Sequence, residues 1–160
     1  MTVTPCHGDD AKTFEPFRMD ADLLRWLEDD NVGHIEMRAG YRAQTLSDTM
    51  VLQVLDIDEA ERLFAANPGV PMPLDGELFR VSVLLLETCP DATQSMVGAS
   101  GDVTFTAFDH SVGGRITGSA RFDLVDARET GENAVVLAAG ATLEFDMKVR
   151  RGAIYDDYAR

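Results

Sequence analysis

The sequence predicts an α+β domain, predominantly antiparallel β, built as a β-sandwich or partly closed barrel with two short helices in its N-terminal half. Three segments in the C-terminal half carry most of that expectation, because each alternates apolar and polar residues with a period of two. Val103, Phe105 and Ala107 alternate with Asp102, Thr104 and Thr106. Ile116, Gly118, Ala120, Phe122 and Leu124 alternate with Arg115, Thr117, Ser119, Arg121 and Asp123. Ala141, Leu143, Phe145, Met147 and Val149 alternate with Thr142, Glu144, Asp146, Lys148 and Arg150. Successive side chains on a strand point to opposite faces, so this pattern means strands with one dry and one wet face. Sheets of that kind are usually antiparallel.

Taken in order, residues 1–19 hold Pro5, Gly8 and Pro16 and predict an irregular N-terminal arm. Asp20 to Asp30 predicts the first helix: Asp20 or Asp22 can cap it, and Leu23, Leu24, Trp26 and Leu27 form an apolar stripe. Asn31-Val32-Gly33 supplies its stop. His34–Ala39 and Tyr41–Ser47, separated by Gly40, predict a hairpin, and Met50–Ile57 a strand. Asp58–Asn67 predicts the second helix, with acidic Asp58, Glu59 and Glu61 in its first turn and Asn67-Pro68-Gly69 as its stop. Val70–Gly76 reads as a loop, Leu78–Thr88 as a strand apolar on both faces, and Thr93–Val97 as a short strand before Gly98. The loops Asp109–Gly114 and Ala127–Asn133 separate the three alternating segments, and residues 152–160 form a tail. No linker composition or internal repeat divides the chain, so residues 1–160 read as a single domain.

Charge narrows the partners. Residues 1–75 carry six basic against fifteen acidic side chains, and residues 76–160 eight against thirteen, for a net charge of −14. Neither half offers the clustered Lys and Arg that neutralise phosphates, so nucleic acid is not an expected partner. No apolar run approaches the eighteen or so residues of a membrane-spanning helix, and membrane insertion is not expected. Only Lys12 and Lys148 are lysines among fourteen basic residues, a usage typical of GC-rich bacterial genomes. The N-terminal run lacks the charged-then-apolar layout of a signal peptide. The expectation is a periplasmic, outer-surface or secreted protein if a leader has been removed, and otherwise a cytoplasmic one.

Cys6 and Cys89 lack the spacing of a zinc site or a Cys-x-x-Cys redox motif. They read either as a disulfide tying the arm to the end of a central strand, which implies an oxidising compartment, or as two free thiols. Asp109-His110-Ser111 contains the residue types of a catalytic triad, but adjacent residues cannot place the base between nucleophile and orienter, and no Gly-x-Ser-x-Gly elbow is present. Asp56–Asn67 departs from the EF-hand pattern, lacking glycine at the sixth position and glutamate at the last, and its acids suit a helix N-terminus instead. Glu28, Asp29 and Asp30 lie where a helix C-terminus would disfavour them, which makes them the calcium candidates; no other cofactor is indicated. Paired carboxylates also serve glycoside hydrolysis, whose clefts usually carry exposed aromatics. Tyr155 and Tyr158 are the aromatic pair in a polar setting here, and they fall in the tail.

The runs Ser100-Gly101-Asp102-Val103-Thr104-Phe105-Thr106 and Gly114-Arg115-Ile116-Thr117-Gly118-Ser119-Ala120-Arg121-Phe122-Asp123-Leu124 resemble the paired strands of uncharacterised bacterial secreted and lipoprotein-type β domains. The resemblance covers about residues 77–151 and carries no catalytic residues. Cys6 follows Thr-Val-Thr-Pro rather than an apolar lipobox. It implies an envelope location and a binding or structural role.

The function expected is therefore a non-catalytic binding or structural module of a bacterial cell envelope or secreted assembly. Its partner would be a basic protein face or a second copy joined along a strand edge. The alternative is a small-molecule or lipid carrier whose cavity, inside a curled sheet, is lined by Phe105, Phe122, Phe145 and Met147. A hydrolase using paired carboxylates is third.

Overall fold

In the computed structural model, which describes residues 23–39, 48–86, 94–128, 131–132 and 134–150, the elements run β1 (Leu23–Asp29), β2 (Val32–Arg38), β3 (Thr49–Val54), α1 (Ile57–Ala66), β4 (Met72–Pro73), β5 (Phe79–Leu85), β6 (Gln94–Phe108), β7 (Arg115–Asp126) and β8 (Val136–Lys148). The strands pair antiparallel in the order β1-β2-β3-β5-β6-β7-β8, and β4 pairs with β6 beyond the end of β5. They belong to one sheet that curls into a half-barrel and brings β1 toward β8, rather than to the two sheets of a sandwich. The arm at 1–19, the tail at 152–160, Tyr41–Ser47, Cys6, Cys89, Tyr155 and Tyr158 lie outside the described residues.

The first expected helix is a strand. Leu23–Asp29 pairs residue for residue with Val32–Arg38 through the two-residue turn Asp30-Asn31, where Asp30 takes the left-handed conformation (φ 51°) that Asp tolerates. Leu24 and Trp26 face the interior, while Leu23 is covered on the opposite face. Apolar residues on both faces erase the alternation and leave a stripe that reads as helical. Asn31 and Gly33, which resemble a helix stop, serve the hairpin instead.

The second helix forms as its sequence dictates. The Asp56 carboxylate caps it by accepting from the Glu59 amide (2.9 Å), and Asp58 and Glu59 complement the positive end of its dipole. Asn31 binds the same end, accepting from the amides of Ile57 through its backbone (2.9 Å) and of Asp58 through its side chain (3.1 Å). The β1–β2 turn is thereby fixed against α1. Ile57 and Ala60 are buried, and Phe64 meets Phe108 edge-on with ring centroids 6.4 Å apart.

Thr93–Val97 and Val103–Ala107 are not separate strands but parts of β6, which is kept continuous by bulges. Gly98 pairs with Leu124 and Ser100 with Asp123, so Ala99 is an extra residue. Thr106 is a second extra residue, between the pairs Phe105–Gly118 and Ala107–Thr117. That bulge reverses the alternation, and Phe108 rather than Ala107 joins Val103 and Phe105 in the interior. On β8 the register slips around Gly140, whose φ of 62° suits glycine and whose amide donates to the Asp123 carboxylate (2.7 Å). From Ala141 to Val149 the expected alternation holds at every position.

Candidate functional site

The inward faces of β2, β3, β5, β6, β7 and β8 meet in one apolar core. Phe105, Phe122, Phe145 and Met147, expected to line a carrier cavity, all lie in it, with Phe105 and Phe122 each 1% exposed. Phe105 packs against Phe79, Phe108 and Phe145, with ring centroids 5.8, 4.8 and 5.6 Å apart. These are the separations of aromatic rings in direct contact. Met147 sits opposite Ile116, and Phe122 opposite Ala141, where the small residue makes room for the ring. Each of the four is packed among other members of that core.

Where the curled sheet closes, β1 meets the Asp109–Gly114 loop. That loop is bonded to the strand beside it: the Gly113 amide donates to the Val149 carbonyl and the Val149 amide to the Gly114 carbonyl, both 2.8 Å. His110 reaches from it to β1, its Nδ1 3.0 Å from Glu28 Oε2. Trp26 donates its indole N–H to the same oxygen (3.2 Å). Its ring lies 6.1 Å from Phe108 and 6.3 Å from His110. Asp109 does not orient His110. Its carboxylate accepts from the Ser111 hydroxyl (2.5 Å) and amide (3.0 Å), and these bonds, with a smaller contribution from the charge of His110, hold it below the usual aspartate range. The triad-like tripeptide is thus a self-bonded turn, and the partner of its histidine lies 82 residues away.

Glu28, Asp29 and Asp30 do not converge. Glu28 is engaged by Trp26 and His110, while Asp29 and Asp30 are exposed at the hairpin end. Among the described residues no group of three metal-ligating side chains comes together.

Three buried carboxylates, Glu36, Asp48 and Asp126, escape sequence reasoning. Glu36 lies on the outer face of β2, accepting from Arg25 Nε (2.6 Å) and Arg38 Nε (2.5 Å). Asp126, at the end of β7, accepts from the Arg128 guanidinium at 2.9 and 2.8 Å. A carboxylate is retained under cover only when charge-assisted bonds replace its water. Arg25–Glu36 is a cross-strand pair, invisible until β1 is known to be a strand.

The outer face of β6, β7 and β8 carries a shallow groove of about 400 Å³ lined by Thr106, Thr117, Gly118, Ser119, Glu144, Phe145 and Asp146. The Thr106 bulge forms one wall. Asp146 is clamped by Arg115 (2.7 and 2.5 Å) and by the Thr117 hydroxyl (3.1 Å). Glu144 stands exposed opposite Ser119. The groove offers hydroxyls and carboxylates on the outer face of three paired strands.

No protein family matches this chain, nor does any curated protein or solved structure. No helix among the described residues is long and apolar enough to cross a membrane.

Proposed function

We propose that this chain is a non-catalytic binding module of a bacterial cell envelope or secreted assembly, and that it engages a basic protein surface through the groove on the outer face of β6–β8. The observation that carries the reading is the mutual packing of Phe79, Phe105, Phe108 and Phe145, which turns recognition from the interior to the outer face. Glu144 and the hydroxyls of Thr106, Thr117 and Ser119 suit Lys or Arg side chains, and the net charge of −14 favours their approach at long range. The envelope location rests on the resemblance to secreted and lipoprotein-type β domains and brings with it a Cys6–Cys89 disulfide.

Affinity capture on the immobilised chain at low and high salt, repeated with Glu144→Lys and Ser119→Arg, tests the reading. The expected partner is basic, is eluted by salt and is lost with either variant. Capture indifferent to salt and to both substitutions would remove the groove from consideration.

A second reading, self-association, is favoured by Val135 and Val136, which are 62% and 45% exposed at the start of β8. Such pairing rests on apolar contact and backbone bonds and tolerates salt. A dimer persisting in sedimentation at high salt supports it, and a monomer at every salt concentration rejects it.

A further inference from the structure

The groove on the outer face of β6–β8 is a two-row lattice set by the strand register. In one row Thr117 stands opposite Asp146, and in the next Ser119 lies between Thr104 and Glu144. Thr106, the extra residue of the β6 bulge, adds its hydroxyl at the edge of the first row. Outward side chains opposite one another on paired strands sit about 5 Å apart at Cβ, and successive outward residues of one strand about 7 Å apart.

The direction of the hydrogen bonds decides what such a lattice can bind. The Thr106 hydroxyl donates to the Thr117 carbonyl (3.2 Å), and the Thr117 hydroxyl donates to the Asp146 carboxylate (3.1 Å). A hydroxyl has a single hydrogen, so both oxygens are left with lone pairs alone. Asp146 is taken up by Arg115, whose Nε and terminal nitrogen both donate to it and whose charge offsets its own. Glu144 is exposed and bonds to no described residue. The groove is therefore rich in acceptors and short of donors, and Glu144 supplies its one negative charge without a counter-charge.

On the reading that this groove is the docking surface, we propose that the group it receives is an arginine side chain of the partner. Its guanidinium pairs with Glu144 and turns its remaining N–H groups to the hydroxyl oxygens of Thr106, Thr117 and Ser119. A guanidinium carries five N–H donors in one plane and no acceptor, so it serves a carboxylate on one side and hydroxyl oxygens on the other. An ammonium gathers three donors on one atom and is held more strongly by water, which an open groove does little to replace. The Ser119 hydroxyl rotates and can accept in its turn. A carboxylate entering the groove would meet Glu144, and among these side chains the carbonyl of a neutral amide would have only Ser119 to accept from.

Amide shifts of the isotope-labelled full chain, followed by NMR as Nα-acetylarginine methylamide or its lysine or citrulline counterpart is added, test the assignment. The arginine compound should move Thr106, Thr117, Ser119 and Glu144 together. It should bind about threefold more tightly than the lysine compound, the scale of an exposed charge pair. Citrulline, which keeps the shape but exchanges the charge for a carbonyl, should leave the groove unmoved. Glu144→Gln should abolish the arginine response, and Thr106→Val should weaken it while keeping a β-branched residue on the strand; unfolding midpoints near that of the wild type show that both variants fold. No groove response to arginine, lysine bound as tightly as arginine, or an arginine response that survives Glu144→Gln overturns the assignment. The groove itself still stands as the docking surface if the partner captured on the immobilised chain is lost with Glu144→Lys, and falls if capture is indifferent to that change.

Discussion

The indole of Trp26 occupies the space that a side chain on Gly33 would need. A Cβ on Gly33 would overlap the six-membered ring, which lies diagonally across the β1–β2 hairpin. Trp26 is 3% exposed and also touches Phe108. Gly33 is therefore the seat of the largest ring in the core. Gly33→Ala should force that ring out of place and cost about 1–3 kcal/mol, the range for overpacking a filled core. Chemical denaturation should show this loss together with a shift in Trp26 emission toward that of exposed indole.

Phe122 and Arg121 are neighbours in sequence but lie on opposite faces of β7, buried and exposed respectively. Phe122→Asp should bury an unpaired carboxylate and cost about 4 kcal/mol or prevent folding. Arg121→Asp should change stability by no more than about 0.5 kcal/mol. Equal damage measured in urea denaturation would contradict the register of β7 with β6 and β8.

Ser111 governs the titration of Asp109. Its hydroxyl and amide bond the carboxylate and depress its protonation, so the bonded turn is favoured above the ordinary aspartate range and loses that advantage as the pH falls through the depressed value. Ser111→Ala removes the larger cause. The Asp109 carboxyl, followed by NMR, should then titrate closer to the ordinary aspartate value near 4. An unchanged titration would mean that the hydroxyl bond is not formed in solution.

The proposed Cys6–Cys89 disulfide should leave no thiol to alkylate in protein recovered from its native compartment. In the chain-entropy view, closing so long a loop is worth roughly 4–5 kcal/mol, so reduction should lower Tm. Two alkylated cysteines would remove the disulfide and, with it, one support for an envelope location.

The long C-terminal strands are legible because each has one wet and one dry face. Phe122, Leu143, Phe145 and Met147 fall where the alternation puts them. The helix at 57–66 is legible because its cap, acidic first turn and stop are all local. β1 was not, because its residues are apolar on both faces and its strand character comes from pairing with β2. The Thr106 bulge hides Phe108 from the pattern, since one extra residue exchanges inside for outside. The Glu28–His110 and Arg25–Glu36 pairs depend on which strands meet, which no local signal encodes. The acidic run at 28–30 was visible as composition, but its use in a turn and a seam was not.

We propose that binding takes place on the outer face of the sheet and not inside its curl. Titration with a fluorescent fatty-acid analogue, monitored through Trp26 and the probe, separates the two. A filled core predicts no saturable binding up to tens of micromolar, well above the affinities at which carriers hold apolar ligands in pockets of about 300–1,000 Å³. One-to-one binding in the low micromolar range, weakened by Phe105→Ala or Phe145→Ala and untouched by Glu144→Lys, would make the protein a carrier and rule out recognition confined to the outer face.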